Sequence, residues 1–321
     1  MMNTIGVLTS GGDAPGMNAA VRAVVRTACE LGMKVYGIND GYEGLMNGDM
    51  QELNLRSVCN IINKGGTILY SARSLRFKTE EGMQEALRVC NEKGIDGLVV
   101  IGGDGSFRGA RDLSLKGIPC VAIPGTIDND IGCTDLTIGY DTALNTIARA
   151  VDKLRDTTES HHRCSVIEVM GNNAGYLTLN AGIACGAAAI IIPEIEYDFD
   201  RDVIDRMKRT MMSEKKHFIV MIAEKICNVQ ELATKIQTET GVDTRATILG
   251  HVQRGGSPTV SDRILASKMG YHAVALLKEG IGNRVVATKH DEIIDIDIYE
   301  ALAMKKSVDL DLYKMAMEIS I

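Results

Sequence analysis

The chain lacks any apolar run near the ~18 residues that a membrane-spanning helix needs, although 45% of its 321 residues are hydrophobic. No block of five basic residues interrupts a formal net charge of −7, which argues against nonspecific nucleic-acid binding. The first residues show no basic segment ahead of an apolar core, so we expect no targeting signal. The sequence therefore predicts a cytoplasmic protein that binds neither membranes nor nucleic acid.

The common spacings of zinc ligands are also missing. The eight cysteines are scattered, with no Cys-x-x-Cys pair and no His-x-x-x-His pair beside them. We interpret them as free thiols of a reducing compartment. The length exceeds the usual size of one hydrophobic core, so we expect two domains. No low-complexity linker separates them, which is compatible with a chain that crosses between the domains more than once.

Short apolar strands alternate with amphipathic helices along the chain, a pattern typical of the α/β class. Glycines 41, 44 and 48 are interpreted as turns. The predicted strands are residues 5–9, 34–38, 98–101, 120–123, 164–170, 189–192, 217–223, 245–249 and 285–288. The predicted helices are residues 18–31, 80–93, 140–158, 175–187, 200–213, 228–240, 260–279 and 298–305, together with one that follows the loop of residues 102–106 and ends at Gly117.

Two strand ends within residues 98–130 deliver glycines and acids to one edge of the predicted sheet. In a parallel α/β sheet, ligands bind outside the carboxyl ends of the strands. The loop Gly-Gly-Asp-Gly at residues 102–105 lets backbone amides approach a polyphosphate, and Asp104 can hold a magnesium ion. An acidic helix cap or a turn is the structural alternative for the same loop.

The second loop offers a proton acceptor. If residues 126–130 are extended, Thr126, Asp128 and Asp130 lie on one side of the chain, and Asp128 can face a substrate hydroxyl. An ordinary Asp, with a pKa near ~3.9, is acidic for a base. The loose transition state of phosphoryl transfer releases the hydroxyl proton late, however, and needs only a nearby acceptor. An Asx-rich turn after Pro124 is the alternative.

Two further loops carry groups suited to anions. Residues 10–16 join a strand to a helix through glycines and either bind phosphate or make a tight turn. In the following helix, Arg22 and Arg26 share a face, where they either bind an anion or form a solvated surface. The loop of residues 250–258 holds two potential phosphate ligands, His251 and Arg254.

Five motifs in order resemble the bacterial type of ATP-dependent 6-phosphofructokinase. They lie at residues 9–18, 102–105, 124–130, 168–171 and 250–258, and the resemblance covers the chain from about Ile5 to Ser267. It implies two three-layer doubly wound Rossmann-like lobes. The implied ATP-binding lobe is residues 1–139 and 253–302, and the implied fructose 6-phosphate lobe is residues 140–252 and 303–321.

The resemblance also implies an activity. The γ-phosphoryl of MgATP would pass to the 1-hydroxyl of fructose 6-phosphate, giving fructose 1,6-bisphosphate and ADP in the committed step of glycolysis. A pyrophosphate-dependent phosphofructokinase and a catalytically weak sugar-phosphate or nucleotide sensor are the alternatives. Gly105 and Gly125 stand where pyrophosphate-using relatives carry Asp and Lys, which favours ATP as the donor.

Roles are implied residue by residue. Asp128 would accept the proton of the 1-hydroxyl, with Thr126, Asp130 and Arg73 as further catalytic groups, and Asp104 would hold Mg²⁺. The implied ATP-binding residues are Gly12, Arg73, Ser74, Gly103, Asp104, Gly105 and Ser106. The implied fructose 6-phosphate residues are Thr126, Ile127, Asp128, Arg163, Met170, Gly171, Asn172, Glu224, Arg245, His251, Val252, Gln253 and Arg254. Arg163 and Arg245 would serve a neighbouring subunit, which implies a homotetramer with shared active sites.

The sequence departs from the family pattern at three positions. Asn172 stands where the family usually has an arginine beside the reacting phosphates. The effector site for ADP or phosphoenolpyruvate is implied at Arg22, Arg26, Arg155, Gly186, Lys215, Lys216 and His217. Near it, Leu55 and Ala188 replace a basic and an acidic residue that are usual there. We therefore expect weakened or altered nucleotide activation.

Overall fold

The computed structural model describes residues 2–213 and 215–320, in which strands and helices alternate. The strands are β1 Thr4–Ser10, β2 Lys34–Ile38, β3 Met50–Leu53, β4 Gly97–Gly102, β5 Cys120–Pro124, β6 Cys164–Val169, β7 Ala189–Ile191, β8 Phe218–Ala223, β9 Thr244–Ile248, β10 Arg284–Lys289 and β11 Glu292–Asp297. The helices are α1 Met17–Glu30, α2 Gly41–Asn47, α3 Glu80–Lys93, α4 Asp104–Leu115, α5 Tyr140–Ser160, α6 Tyr176–Ala184, α7 Asp205–Met211, α8 Val229–Thr240, α9 Val260–Lys278, α10 Ile298–Ala303 and α11 Leu310–Ile319.

The α/β class is confirmed, and the bounds of most predicted elements differ from the observed ones by only a few residues. The glycine-rich turns at residues 41–48 were predicted wrongly, because Gly41–Asn47 is helix α2. Gly44 is required there since a Cβ would lie 1.8 Å from the Asn39 carbonyl oxygen. The predicted helix over residues 200–213 begins instead with a π-helical segment, Asp200–Ile204. The edge strands β3 and β11 and helix α11 were not predicted.

The first compact unit contains residues 1–127, 131–142 and 254–306. Its seven-stranded sheet has the order β11-β10-β5-β4-β1-β2-β3, with only the edge strands β11 and β3 pairing antiparallel. Strands β1 and β4 are neighbours, yet the chain continues from β1 towards one side and from β4 towards the other. The gap between β1 and β4 is therefore a topological switch point, where α/β sheets bind ligands.

The second unit contains residues 128–130, 143–253 and 307–321. Its parallel four-stranded sheet has the order β7-β8-β6-β9. The central strands β6 and β8 are buried along almost their whole length, as strands covered on both faces should be. The unit boundaries differ from the proposed lobes near residues 140 and 303, and Asp128–Asp130 group with the second unit. Among the described residues, no helix is long and apolar enough to cross a membrane.

Candidate active site

Three adjacent parallel strands of the first unit end together and present the predicted glycine loops. Ser10, at the end of β1, is paired with Gly102, at the end of β4. Gly102 is paired in turn with Pro124, at the end of β5. The amide of Gly125 donates to the Gly102 carbonyl at 2.9 Å. The loops that begin at residues 10, 102 and 124 therefore share the carboxyl edge that includes the switch point.

The Gly-Gly-Asp-Gly loop opens helix α4 and leaves room for a ligand. Asp104 is the first residue of the helix, where the exposed amides and the helix dipole favour an anion. A Cβ at Gly103 or at Gly105 would meet nothing within 4 Å. The Asp104 carboxylate accepts from Nε of Arg108 at 2.9 Å, one turn along the helix. This pair is half-exposed, so it holds the carboxylate only weakly.

The loop after β1 packs against two other predicted segments. The Ser71 hydroxyl donates to the Gly11 carbonyl at 2.7 Å, which places the segment containing Arg73 and Ser74 next to this loop. From the other side, Nη1 of Arg254 donates to the Asp13 carbonyl at 3.0 Å. A Cβ on Gly12 would lie 2.6 Å from the same guanidinium nitrogen. Arg254, proposed as a phosphate ligand, thus lies over the glycines of the first loop.

Several predicted ligand residues are buried or hydrogen-bonded to other groups of the protein. Ser106 is 4% exposed, and its hydroxyl donates to the Ser10 carbonyl at 3.2 Å. The Ser74 hydroxyl donates to Glu43 at 2.7 Å. Ile127 is fully buried. These side chains shape the loops, and any contact that Ile127 makes with a ligand involves its backbone. Arg73, in contrast, is exposed.

The segment after β5 is not extended. The backbone bends at Ile127 and Asp128, and Asn129 has a positive φ of 52°. The alternation that would place Thr126, Asp128 and Asp130 on one side therefore does not apply. Asp128 is 6% exposed, whereas Asp130 is partly exposed. Burial, and then the charges of Glu194 and Asp130, raise the pKa of Tyr176.

The carboxyl edge of the second unit collects another group of predicted residues. Strands β6 and β8 are parallel neighbours, so the loops after Val169 and Ala223 start side by side. Oε1 of Glu224 accepts from the amides of Gly171 at 3.3 Å and Asn172 at 2.8 Å. The Met170 amide donates to Gln253 at 3.2 Å.

Gln253 differs from its neighbours in the same turn. It is fully buried, and its amide nitrogen donates to the Gly250 carbonyl at 3.0 Å. We therefore regard Gln253 as a residue that holds Met170 in place. His251 and Val252 are exposed.

Arg163 and Arg245 lie at the amino ends of the strands of this sheet, opposite to its carboxyl edge. Arg163 directly precedes β6, and Arg245 is the second residue of β9, whose pairing with β6 aligns Ser165 with Arg245. Asp243 joins the two arginines, with Arg163 Nε at 2.6 Å and Arg245 Nη2 at 3.1 Å. The hydrogen bond from Arg163 is the largest of several influences that lower the pKa of Asp243.

A family model described as Phosphofructokinase matches residues 4–277. The chain belongs to the phosphofructokinase family. An ATP-dependent 6-phosphofructokinase of Clostridioides difficile (strain 630) is 56% identical over 320 residues, which cover 100% of both chains.

Two solved structures in this family extend the comparison. The T-state phosphofructokinase of Pichia pastoris has a TM-score of 0.90 and 36% identity, over 99% of this chain and 38% of that one. This chain thus spans well under half of the yeast subunit. A pyrophosphate-dependent phosphofructokinase from Marinobacter aquaeolei has a TM-score of 0.87 at 19% identity, over 98% of this chain and 92% of that one, and shares the fold alone.

The effector residues expected for a phosphofructokinase fall in both units. Arg22 and Arg26 lie one turn apart on α1 of the first unit. In the second unit, Arg155 donates to the Cys185 carbonyl, next to Gly186. Burial, and then the charge of Arg155, lower the pKa of Lys215. Lys216 and His217 follow directly in the chain.

Leu55 and Ala188, the two departures expected near the effector site, differ in their exposure. Leu55 is 48% exposed, whereas Ala188 is buried. The Ala188 carbonyl accepts from Nε of Arg206 at 3.0 Å. Neither position therefore offers a charged group for an effector.

Two charged residues of the site were missed by the sequence analysis. Asp243 stands two positions before Arg245, and Lys225 directly follows Glu224. The ammonium of Lys225 donates to Oδ1 of Asn172 at 3.4 Å. Each of these charges lies just outside a predicted strand, at an edge of the sheet that carries predicted ligand residues. That position was the signal by which the sequence could have revealed them.

Proposed function

We propose that the protein transfers the γ-phosphoryl of MgATP to the 1-hydroxyl of fructose 6-phosphate. The observation that carries this proposal is the register of β1, β4 and β5, which brings three predicted loops to one sheet edge beside a switch point. Full-length similarity to a relative named ATP-dependent 6-phosphofructokinase supports the same activity. The committed step of glycolysis would then be the reaction catalysed.

ATP would bind at the carboxyl edge of the first unit. Gly103 and Gly105 leave space for its phosphates, and the N-terminus of α4 favours their charge. Gly12, with Arg73 nearby, would line the same edge.

The residues present fit magnesium. Mg²⁺ in kinases is held by one or two carboxylates together with phosphate oxygens and water. Asp104 supplies such a carboxylate in a half-exposed position. The described residues contain no cluster of three acids, histidines or cysteines that would form a separate metal cage. When bound, the ion would neutralise charge on the transferring phosphates.

Asp128 would accept the proton of the sugar hydroxyl. Its carboxylate is almost completely shielded from water, which keeps a proton acceptor from being solvated before the substrate arrives. Thr126 precedes it, and its carbonyl accepts from the Thr137 hydroxyl at 2.6 Å, which fixes the backbone there. We assign Asp130 and Arg73 supporting roles in the same step.

Fructose 6-phosphate would bind at the carboxyl edge of the second unit. Met170, Gly171 and Glu224 lie in the adjacent loops after β6 and β8, and Glu224 is fixed by two backbone amides. His251 and Arg254 would hold the 6-phosphate. Asn172 lies in the same loop and presents an exposed amide.

A second copy of the chain would complete this site. Arg163 and Val169 lie at opposite ends of β6, and six residues of strand span about 20 Å. A sugar phosphate is too short to contact both ends, so Arg163 and Arg245 would serve a neighbouring subunit. We propose a homotetramer on this basis. The eight cysteines are free, which supports a cytoplasmic location.

The remaining question is whether ATP or pyrophosphate donates the phosphoryl group. At Gly105 the structure leaves open space in which a nucleotide could bind. The test is a coupled assay of the purified protein with fructose 6-phosphate and either ATP or pyrophosphate. We expect turnover with ATP. Faster turnover with pyrophosphate, or no phosphorylation with either donor, would contradict the proposal.

A further inference from the structure

An ammonium group stands at the carboxyl edge of the second unit, outside the predicted site residues. Lys225 is the second residue after β8, and its Nζ donates to Oδ1 of Asn172 at 3.4 Å. Asn172 belongs to the loop after β6, whose last residue Val169 is aligned with Ala223. Both Lys225 and Asn172 are exposed, so a ligand at this edge can reach the ammonium.

The backbone at Lys225 is held in an unfavourable conformation. Its φ is 68°, in the left-handed region that glycine and asparagine adopt most readily. Asn172 and Asn173, in the neighbouring loop, have φ values of 51° and 72° and belong to the tolerant type. Stability alone would therefore favour Asn or Gly at position 225. Strain of this kind is concentrated at ligand and catalytic sites, where a side chain is needed in spite of its backbone.

Two acidic residues lie at the same edge, Glu224 in the loop after β8 and Glu168 on β6. Glu224 accepts hydrogen bonds from the Gly171 and Asn172 amides. Burial, and then the Glu224 carboxylate, raise the pKa of Glu168 on β6. Two acids at one edge would repel a phosphate group. The exposed ammonium offsets this repulsion at the point where the edge meets solvent.

Phosphoryl transfer needs a cation in such a place, because negative charge spreads over the oxygens of the transferring group. Asn172, the hydrogen-bond partner of Lys225, presents only a neutral amide at this edge. We propose that Lys225 contacts the transferred phosphoryl group and supplies the positive charge that Asn172 lacks. This proposal rests on the proposed function.

Lys225 keeps its proton throughout the step. The bond between the γ-phosphorus and the bridging oxygen of ATP breaks, and a bond to O1 of the sugar forms. The hydroxyl proton passes to Asp128, and the bridging oxygen leaves with ADP. The role of Lys225 is therefore electrostatic, and it should affect kcat more than the KM for fructose 6-phosphate.

Lys225→Asn tests this role, because it removes the charge and installs a residue that tolerates the backbone conformation. We expect kcat to fall about tenfold or more, with the KM for fructose 6-phosphate little changed and thermal stability equal or higher. Lys225→Arg should retain most of the activity. Lys235→Asn, an exposed site on α8 of the same unit, is the matched control and should behave as wild type. Adding Asn172→Arg to Lys225→Asn should recover activity.

Each result decides the proposal. A wild-type kcat in Lys225→Asn overturns it, and so does an equal loss in Lys235→Asn, which would indicate a general charge effect. A double variant no faster than Lys225→Asn contradicts the argument from charge. A wild-type protein without ATP-dependent phosphorylation of fructose 6-phosphate would overturn the proposed function itself. An active wild type with an unaffected Lys225→Asn removes only Lys225.

Discussion

Arg163 donates through Nε to Oδ2 of Asp243 at 2.6 Å, at the edge of the second sheet opposite to the Glu224 loop. Asp243 also lies 3.1 Å from Nη2 of Arg245. One carboxylate thus holds together the two guanidinium groups that we assign to the 6-phosphate of a neighbouring subunit. It orients them, but it also neutralises part of their charge before any phosphate arrives.

Asp243→Asn separates these two effects. The amide oxygen of asparagine still accepts from Arg163, while the competing negative charge is lost. We expect the KM for fructose 6-phosphate to fall about fivefold at low salt, because a charge pair at ~4 Å in water is worth about 1 kcal/mol. The difference should shrink at high salt. Glu239→Gln, an exposed acid on α8, is the control. A raised KM in Asp243→Asn would show that orientation matters more than charge.

Asp128 is expected to carry the proton transfer. Replacing it with Ser removes the acceptor and should lower turnover by ~10²–10⁴-fold, the usual contribution of a positioned base. Binding of fructose 6-phosphate should be largely kept, since the sugar contacts assigned to the second unit remain. Steady-state kinetics and equilibrium binding of fructose 6-phosphate measure the two effects. Unchanged turnover would remove Asp128 from this role.

The strand ends were predictable because apolar runs, glycines and acids are local signals in the sequence. Helix α2 could not be predicted in this way, because Gly41 and Gly44 are residues typical of turns. Only the close approach of the Asn39 carbonyl in the folded chain explains Gly44. The bend at Asn129 was missed for a similar reason, because nothing local distinguishes it from an extended chain. The contacts of Lys225 and Asp243 depend on strand register between distant segments, which periodicity does not reveal.

Two glycines of the nucleotide edge should respond differently to substitution. A side chain at Gly105 meets open space, so Gly105→Asp should fold with a stability change within about 0.5 kcal/mol. Its carboxylate should repel the phosphates of ATP and raise the KM for ATP about fivefold or more. An unchanged KM for ATP would mean that position 105 does not face the nucleotide.

Gly125 is constrained by packing. A Cβ there would lie 3.0 Å from Cγ2 of Ile101 and 3.2 Å from Cε of Met17. Gly125→Ala should therefore lower the free energy of unfolding by about 1–3 kcal/mol, the usual cost of overpacking. Urea unfolding of the two variants and the wild type compares them directly. A Gly125→Ala variant as stable as Gly105→Asp would show that Ile101 and Met17 move aside freely.

Activation by ADP should be weak. Leu55 and Ala188 offer no charge to a nucleotide or its magnesium, so ADP at subsaturating fructose 6-phosphate should change the rate less than the roughly fivefold lower end of ordinary allosteric coupling. Leu55 is exposed, so Leu55→Arg adds a cation without disturbing a core. That variant should respond more strongly to ADP. Strong activation of the wild type would contradict the expectation.

Asp262 joins the starts of α5 and α9 from a buried position. It is 1% exposed and accepts from the amides of Gly139 and Thr142, each at 2.8 Å, and from the Thr142 hydroxyl at 2.5 Å. Burial raises its pKa in spite of these hydrogen bonds. Asp262→Asn replaces one acceptor with a donor, so one of the two bonded amides, that of Gly139 or that of Thr142, loses its acceptor. We expect a loss of about 1–3 kcal/mol in the free energy of unfolding.

The loss of unfolding free energy caused by Asp262→Asn should depend on pH in a defined direction. A carboxyl whose pKa is raised by folding binds its proton more tightly in the folded state, so its contribution is fully present below the unfolded pKa and declines as pH rises through the folded pKa. Asparagine has no such dependence. The gap between wild type and variant should therefore be larger at acidic than at neutral pH, measured by urea unfolding. Asp291→Asn, in the exposed turn between β10 and β11, is the control. A gap that grows with rising pH would mean that the ionised carboxylate is the stabilising form.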